Sequence, residues 1–213
     1  MLGRCMLRLQ QYERLIKAIM AGHEISAPVQ EVEAARAKRA EVAGRKTLGT
    51  LVGELVGSFL VAGEPDDIPD TPDDPSDRRA TVSIRFKLSL SAEDYAQTET
   101  ELRELVQLRN TLVHHFIDLH DLWSVEGCRR AQEVLDADYM RIDQHYQRLW
   151  SWAEDMDRAL RDVAEYARSD EFRELVVSGT VPAGLEGRVG GSTTPPPHPP
   201  RDRSGRRGSA RTR

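Results

Sequence analysis

Cysteine is almost missing from this chain of 213 residues: Cys5 and Cys128 are the only two, too few for a disulfide framework, so a reducing cytoplasm is the expected compartment. Aromatic residues are scarce at 6% while charged residues reach 31%, a balance that excludes collagen-like and membrane classes and points to a solvated, helix-rich protein. No apolar run approaches the roughly 20 residues needed to cross a bilayer. The longest, residues 50–63, has 14 residues and contains Glu54, and residues 1–10 carry Arg4 and Arg8 without an extended apolar core, so neither a membrane anchor nor a secretory signal is expected. An excess of positive charge is also lacking, with 30 basic against 35 acidic residues and a net charge of −5.

That net value hides an uneven distribution. Seven of the acids lie in residues 64–77, alongside four prolines, a composition that cannot offset the entropy of ordering and predicts a mobile acidic loop. Residues 183–213 hold seven arginines against Glu186 and Asp202 among Gly, Pro, Ser and Thr, which predicts a disordered basic tail. A tether for an anionic partner and a terminus without a role of its own are both readings of that tail, and its composition favours the second. The intervening sequence, residues 1–182, is expected to form one folded domain; apart from the acidic loop it is close to neutral, so no basic blanket for nucleic acid covers it.

What is present is helical periodicity. Cys5, Leu9, Tyr12, Ile16 and Ile19 repeat at alternating intervals of four and three, predicting a first helix over residues 4–20. Ser26 and Pro28 read as the start of a second helical region, and residues 46–59 keep helical spacing despite Gly49, Gly53 and Gly57, whose repeat suggests close helix packing. Residues 80–90 alternate Val82, Ile84, Phe86, Leu88 and Leu90 with polar partners, the period of a half-buried strand, and the nearest mate is residues 58–62 in an antiparallel ribbon. Ser91 with Asp94 resembles a capping box that opens a helix with the stripe Tyr95, Thr98, Leu102, Leu105, Arg109, Leu112, Phe116 and Leu119.

A second long helix follows from Ser124 to about residue 168, with a seam running from Leu135 through Ile142 and Leu149 to Ala167, and a short amphipathic piece closes the fold. A break in so long a helix is expected, and Trp123, Trp150 and Trp152 read as core and seam residues. The seam exceeds what one shorter partner helix covers, which predicts a homodimer. The fold class is therefore mostly α, an antiparallel helical bundle with a long helical hairpin and a small two-stranded β-ribbon.

Arg109 breaks its own stripe, and a guanidinium among Leu105 and Leu112 needs an acid, an anion or a water-filled cleft. At 100° per residue, Arg109, Asn110 and His114 share an arc of about 140° on one side of the helix, with His115 turned further round as a second-ranked candidate. The bland alternative is a buried, register-fixing ion pair between Arg109 and an acid across the hairpin. A metal site built from His114, Asp118, His120 and Cys128 is disfavoured by its spacing, and no cofactor motif is present.

The segment Arg109-Asn110-Thr111-Leu112-Val113-His114 resembles the R-x4–6-H motif of HEPN proteins, all-helical domains that often dimerise and in many members cleave RNA without metal. More specifically, the stretches MLRLQQYERLIKA, ELRELVQLRNTLVHHF, DLWSVEGCRRAQ and SDEFRELVVSG are similar to the amino-terminal module of bacterial OST-HTH/LOTUS proteins, over about residues 1–182. In those relatives a winged-helix RNA-associated domain follows; here the sequence predicts a low-complexity tail at that point.

The resemblance implies RNA as partner, His114 as general base or acid on a ribose 2′-hydroxyl, Arg109 on the phosphate and Asn110 as a positioning donor, with His115 in reserve. The rivals are a noncatalytic dimerisation or adaptor domain with a protein partner, and an antitoxin-like partner of a nuclease that uses the acidic segment 66–77 as a decoy.

Overall fold

The computed structural model describes residues 1–63 and 81–178; the expectations for the acidic segment and the basic tail lie outside them. Helix α1 (Leu2–Gly22) follows the predicted stripe closely, with Cys5, Leu9, Tyr12, Ile16 and Ile19 all buried. It packs most extensively on α6 (Val125–Tyr166) and also on α2 (Val32–Gly44) and α3 (Leu48–Glu54). Around it a single core gathers Leu51 and Leu55 from the α3 region, Leu102 and Leu105 from α4 (Ala92–Asn110), and Leu135, Ile142 and Leu149 from α6. Each such aliphatic side chain contributes about 1.5–3 kcal/mol on leaving water.

The long hairpin forms as the periodicity requires. Ser91 caps α4, its hydroxyl accepting from the Asp94 amide at 3.0 Å and donating to the Asp94 carboxylate at 2.7 Å. A π turn over Thr111–His115 and a short helix α5 (Phe116–Leu119) extend it. Helix α6 is uninterrupted over 42 residues, so the expected break is absent; the helix is about 63 Å long at 1.5 Å per residue. Its seam is covered within the chain: Leu135, Ile142 and Leu149 are buried, while Tyr139 and Tyr146 lie under the guanidinium groups of Arg4 and Arg8, each 4.6 Å from the ring centroid. Arg8 also meets Asp143 at 2.8 Å. The seam therefore supplies no free face along this stretch for a second copy; it becomes exposed only near Val163 and Ala167. Helix α7 (Asp170–Ser178) closes the described chain, with the Ser169 hydroxyl accepting from the Phe172 amide at 3.1 Å.

The strands correct the expected ribbon. Within the predicted segment, residues 81–90 alternate as expected but divide into β3 (Thr81–Arg85) and β4 (Leu88–Leu90). Strand β3 pairs antiparallel with β1 (Glu24–Pro28), and β4 pairs parallel with β2 (Leu60–Ala62). Residues 58–62 are thus not the antiparallel mate of the whole segment. Strand β1 lies where a helix start was expected: Ile25 and Ala27 point inward, Ser26 outward, and Pro28 ends the ladder, where its missing N–H costs nothing. The helix starts four residues later, after a 3₁₀ turn at Val29–Glu31.

The turn between α5 and α6 overturns the reading of Trp123. Asp121 accepts from the Trp123 amide at 3.0 Å and from the Ser124 hydroxyl at 2.6 Å, and that hydroxyl in turn accepts from the Gly127 amide at 3.0 Å. A Cβ at Gly127 would stand 1.8 Å from the Asp121 carbonyl oxygen, so only glycine allows this approach. The tight turn throws Trp123 outward, where it is 96% exposed. Trp150 is 46% exposed, Leu119 leaves the stripe at 63% exposure, and of the three tryptophans Trp152 packs against the core. Of the three spaced glycines, Gly49 alone meets a neighbouring helix, at Val106; Gly53 and Gly57 have nothing near them, so the repeat is not a packing motif.

Candidate functional site

Arg109 lies at the end of α4, half-buried, on the wall of an open cleft of about 500 Å³. The opposite wall is α1, through Met6, Gln10, Glu13, Arg14 and Lys17, with Leu48 of α3 as an apolar edge. The guanidinium donates from Nη1 to the Asn110 side-chain oxygen at 3.2 Å. Among the described residues it meets no carboxylate, so the register-fixing ion pair is not formed and the charge is left to water in the cleft. Lys17 is held by Glu13 at 2.7 Å, whereas Arg14 has no such partner among the described residues. Three cations against one acid give the cleft a positive field, and a guanidinium matches phosphate geometry through two parallel hydrogen bonds.

His114 and His115 lie on the π turn that follows Asn110, both exposed, with ring centroids 6.3 Å apart. An i→i+5 turn winds less per residue than an α-helix, so the 140° arc reckoned for regular winding does not describe this segment. The π turn keeps Leu112 and Phe116 buried while turning Val113, His114 and His115 to solvent. His115 Nδ1 lies 4.0 Å from an Asp118 carboxylate oxygen. The structure thus puts Arg109 on the cleft wall with Asn110 bonded to it, whereas Asn110 and the two exposed imidazoles are not among the residues that line the cleft. Among the described residues no three His, Cys, Asp or Glu side chains are grouped to hold a metal ion, and Cys128 is exposed beyond the Asp121 turn, its thiol donating to the Leu122 carbonyl at 3.3 Å.

A second cleft, of about 340 Å³, was not visible in the sequence. It opens where α1 ends, between α2 and a second π turn at Leu55–Phe59, and His23, Lys38, Arg39, Lys46 and Ser58 line it. His23 is buried: its Nδ1 lies 3.1 Å from the Met20 carbonyl and its Nε2 3.3 Å from the Ser58 hydroxyl, which itself donates to the Glu54 carbonyl at 2.7 Å. Burial holds the imidazole below its ordinary pKa. Arg39 donates to the carbonyls of Met20 and Ala21 at 3.1 and 3.2 Å, satisfying the end of α1. The only sequence signal for this cleft was the basic run in α2, which has the form of an ordinary solvated face. Against known proteins, the chain matches no family model, no curated protein and no solved structure.

Proposed function

We propose that the chain is an RNA-associated, HEPN-like helical module that holds a strand's phosphate at Arg109 and cleaves beside it with His114, without metal. The observation that carries this reading is the half-buried Arg109 guanidinium, with no carboxylate opposite it among the described residues, facing an open basic cleft. In the reaction His114 takes the proton of a ribose 2′-hydroxyl, the 2′-oxygen attacks phosphorus, and the 5′-oxygen departs with a proton from His115 or water, leaving a 2′,3′-cyclic phosphate. Arg109 neutralises the charge that builds on the phosphoryl oxygens, and Asn110 fixes the guanidinium.

The test is cleavage of single-stranded RNA in the presence of chelator, with cyclic-phosphate ends as product. His114→Ala should lower the rate by roughly 10²–10⁴ with the melting temperature unchanged, because its side chain is exposed. Arg109→Met should abolish both binding and cleavage. An intact protein that neither binds nor cleaves several RNAs would overturn this reading.

One observation favours a second reading, a noncatalytic adaptor. Ile117, Leu119, Trp123 and Val125 are 72%, 63%, 96% and 90% exposed at one end of the hairpin, an apolar group of the sort that docks a protein partner or a second copy. Intact folding with no RNA affinity, together with loss of self-association in Trp123→Ser, would establish it.

A further inference from the structure

The two clefts are neighbours on one helix face. Met6, Gln10, Glu13 and Lys17 line the first and Met20 the second, and these five positions repeat at intervals of four, three, four and three along α1. Lys46 lines the second cleft and Leu48, two residues on, lines the first, so the clefts share the wall at the start of α3. From Met6 to Met20 the helix rises about 21 Å at 1.5 Å per residue.

The acids of the second cleft are already answered. Glu24 accepts from Arg85 Nε at 2.9 Å, a bond that holds its carboxyl below the usual carboxylate range, and Glu54 meets Lys46 at 2.7 Å. Arg39 covers the carbonyls that would otherwise give the end of α1 a negative field. Lys38 is exposed and has no partner among the described residues, and Val42, 48% exposed, supplies apolar surface beside it, with Met20 and Ala43 buried behind it.

We propose that the second cleft is a further phosphate subsite, so that a single RNA strand held at Arg109 continues along α1 and places a later phosphodiester against Lys38 and Arg39, with a nucleoside against the exposed side chain of Val42. This inference rests on the RNA-binding reading above and adds where the strand runs. A positively charged groove with apolar surface beside it is the combination that holds single strands without reading their sequence.

The experiment uses the full chain and 2′-O-methyl oligoribonucleotides, which lack the free hydroxyl the cleavage needs, followed by fluorescence anisotropy. A strand of about three residues fills the first cleft alone, and one of about nine, inside the usual range of single-strand site sizes, reaches the second. Lys38→Ala should weaken the long strand about fivefold and leave the short one unchanged, the upper range for one exposed ion pair. The slope of log affinity against log salt should fall by about 0.7 for the long strand, the share of one phosphate. Val42→Glu, at a half-exposed wall position, should weaken the long strand in the same selective way.

Unchanged affinity of the long strand in both variants, or equal weakening of both strands, overturns the subsite and leaves the Arg109 reading intact. If neither strand binds the unmodified protein, the RNA-binding reading falls and the subsite falls with it.

Discussion

Helix α1 and the tip of the hairpin both carry large apolar residues, yet these end in opposite environments. In α1 the stripe from Cys5 to Met20 is covered on three sides by α6, α3 and α2. At the tip, Ile117, Leu119, Trp123 and Val125 stand in solvent, and the Asp121 turn directs Trp123 away from the bundle. Periodicity says which face of a helix can be buried; it does not say whether anything arrives to bury it.

The comparison can be pressed hardest at the core. Ile16→Ala should cost about 2–5 kcal/mol, since a fully buried side chain leaves a cavity between α1 and its neighbours. Denaturant unfolding measures it, and a cost under about 1 kcal/mol would mean that the stripe is not the centre of the core.

The turn comes next. Gly127→Ala should cost about 1–3 kcal/mol because its Cβ would collide with the Asp121 carbonyl and open the Ser124 cap. A neutral outcome in thermal unfolding would show that the tip is not held as described.

A third test uses pH at the buried end of α1. Burial depresses the His23 pKa in the folded chain, so the unfolded chain takes up the proton first. The stability this imidazole contributes is complete above its ordinary pKa of about 6.5 and is lost as the pH falls through its folded value. His145, lowered chiefly by its own burial and then by Arg148, has the same sign, so His23→Gln should reduce the acid dependence of the melting temperature without removing it. An unchanged profile would remove His23 as its source.

The smallest effect is expected at Trp123. Its replacement by Ser should alter monomer stability by no more than about 0.5 kcal/mol, as for surface positions in general. A larger, concentration-dependent loss seen by light scattering would show that a second copy covers the tip and would remove the contrast with α1.

Much of the candidate site was legible. The anomaly of Arg109 within its stripe marked the residue that lines the cleft, and Asn110 was placed beside it. The position of His114 was not, because a π turn changes the winding that a fixed 100° step assumes, and nothing in TLVHH signals it. The second cleft was hidden because its residues come from α1, α2 and the Leu55–Phe59 turn, each ordinary when taken alone.

The sequence by itself determined the helices and their inward faces, since intervals of three and four are local properties of a chain that rises 1.5 Å per residue. It also determined the caps at Ser91 and Ser124, whose hydroxyls need only the next turn of backbone. Tertiary structure alone decided that Glu24–Pro28 is a strand, because a five-residue segment that reads locally as a helix start is settled by the partner it finds, here β3 almost sixty residues away. It also decided that α6 runs unbroken and that Trp123 faces water. Burial and strand pairing are bought with contacts between distant segments, and no window of neighbouring residues contains them.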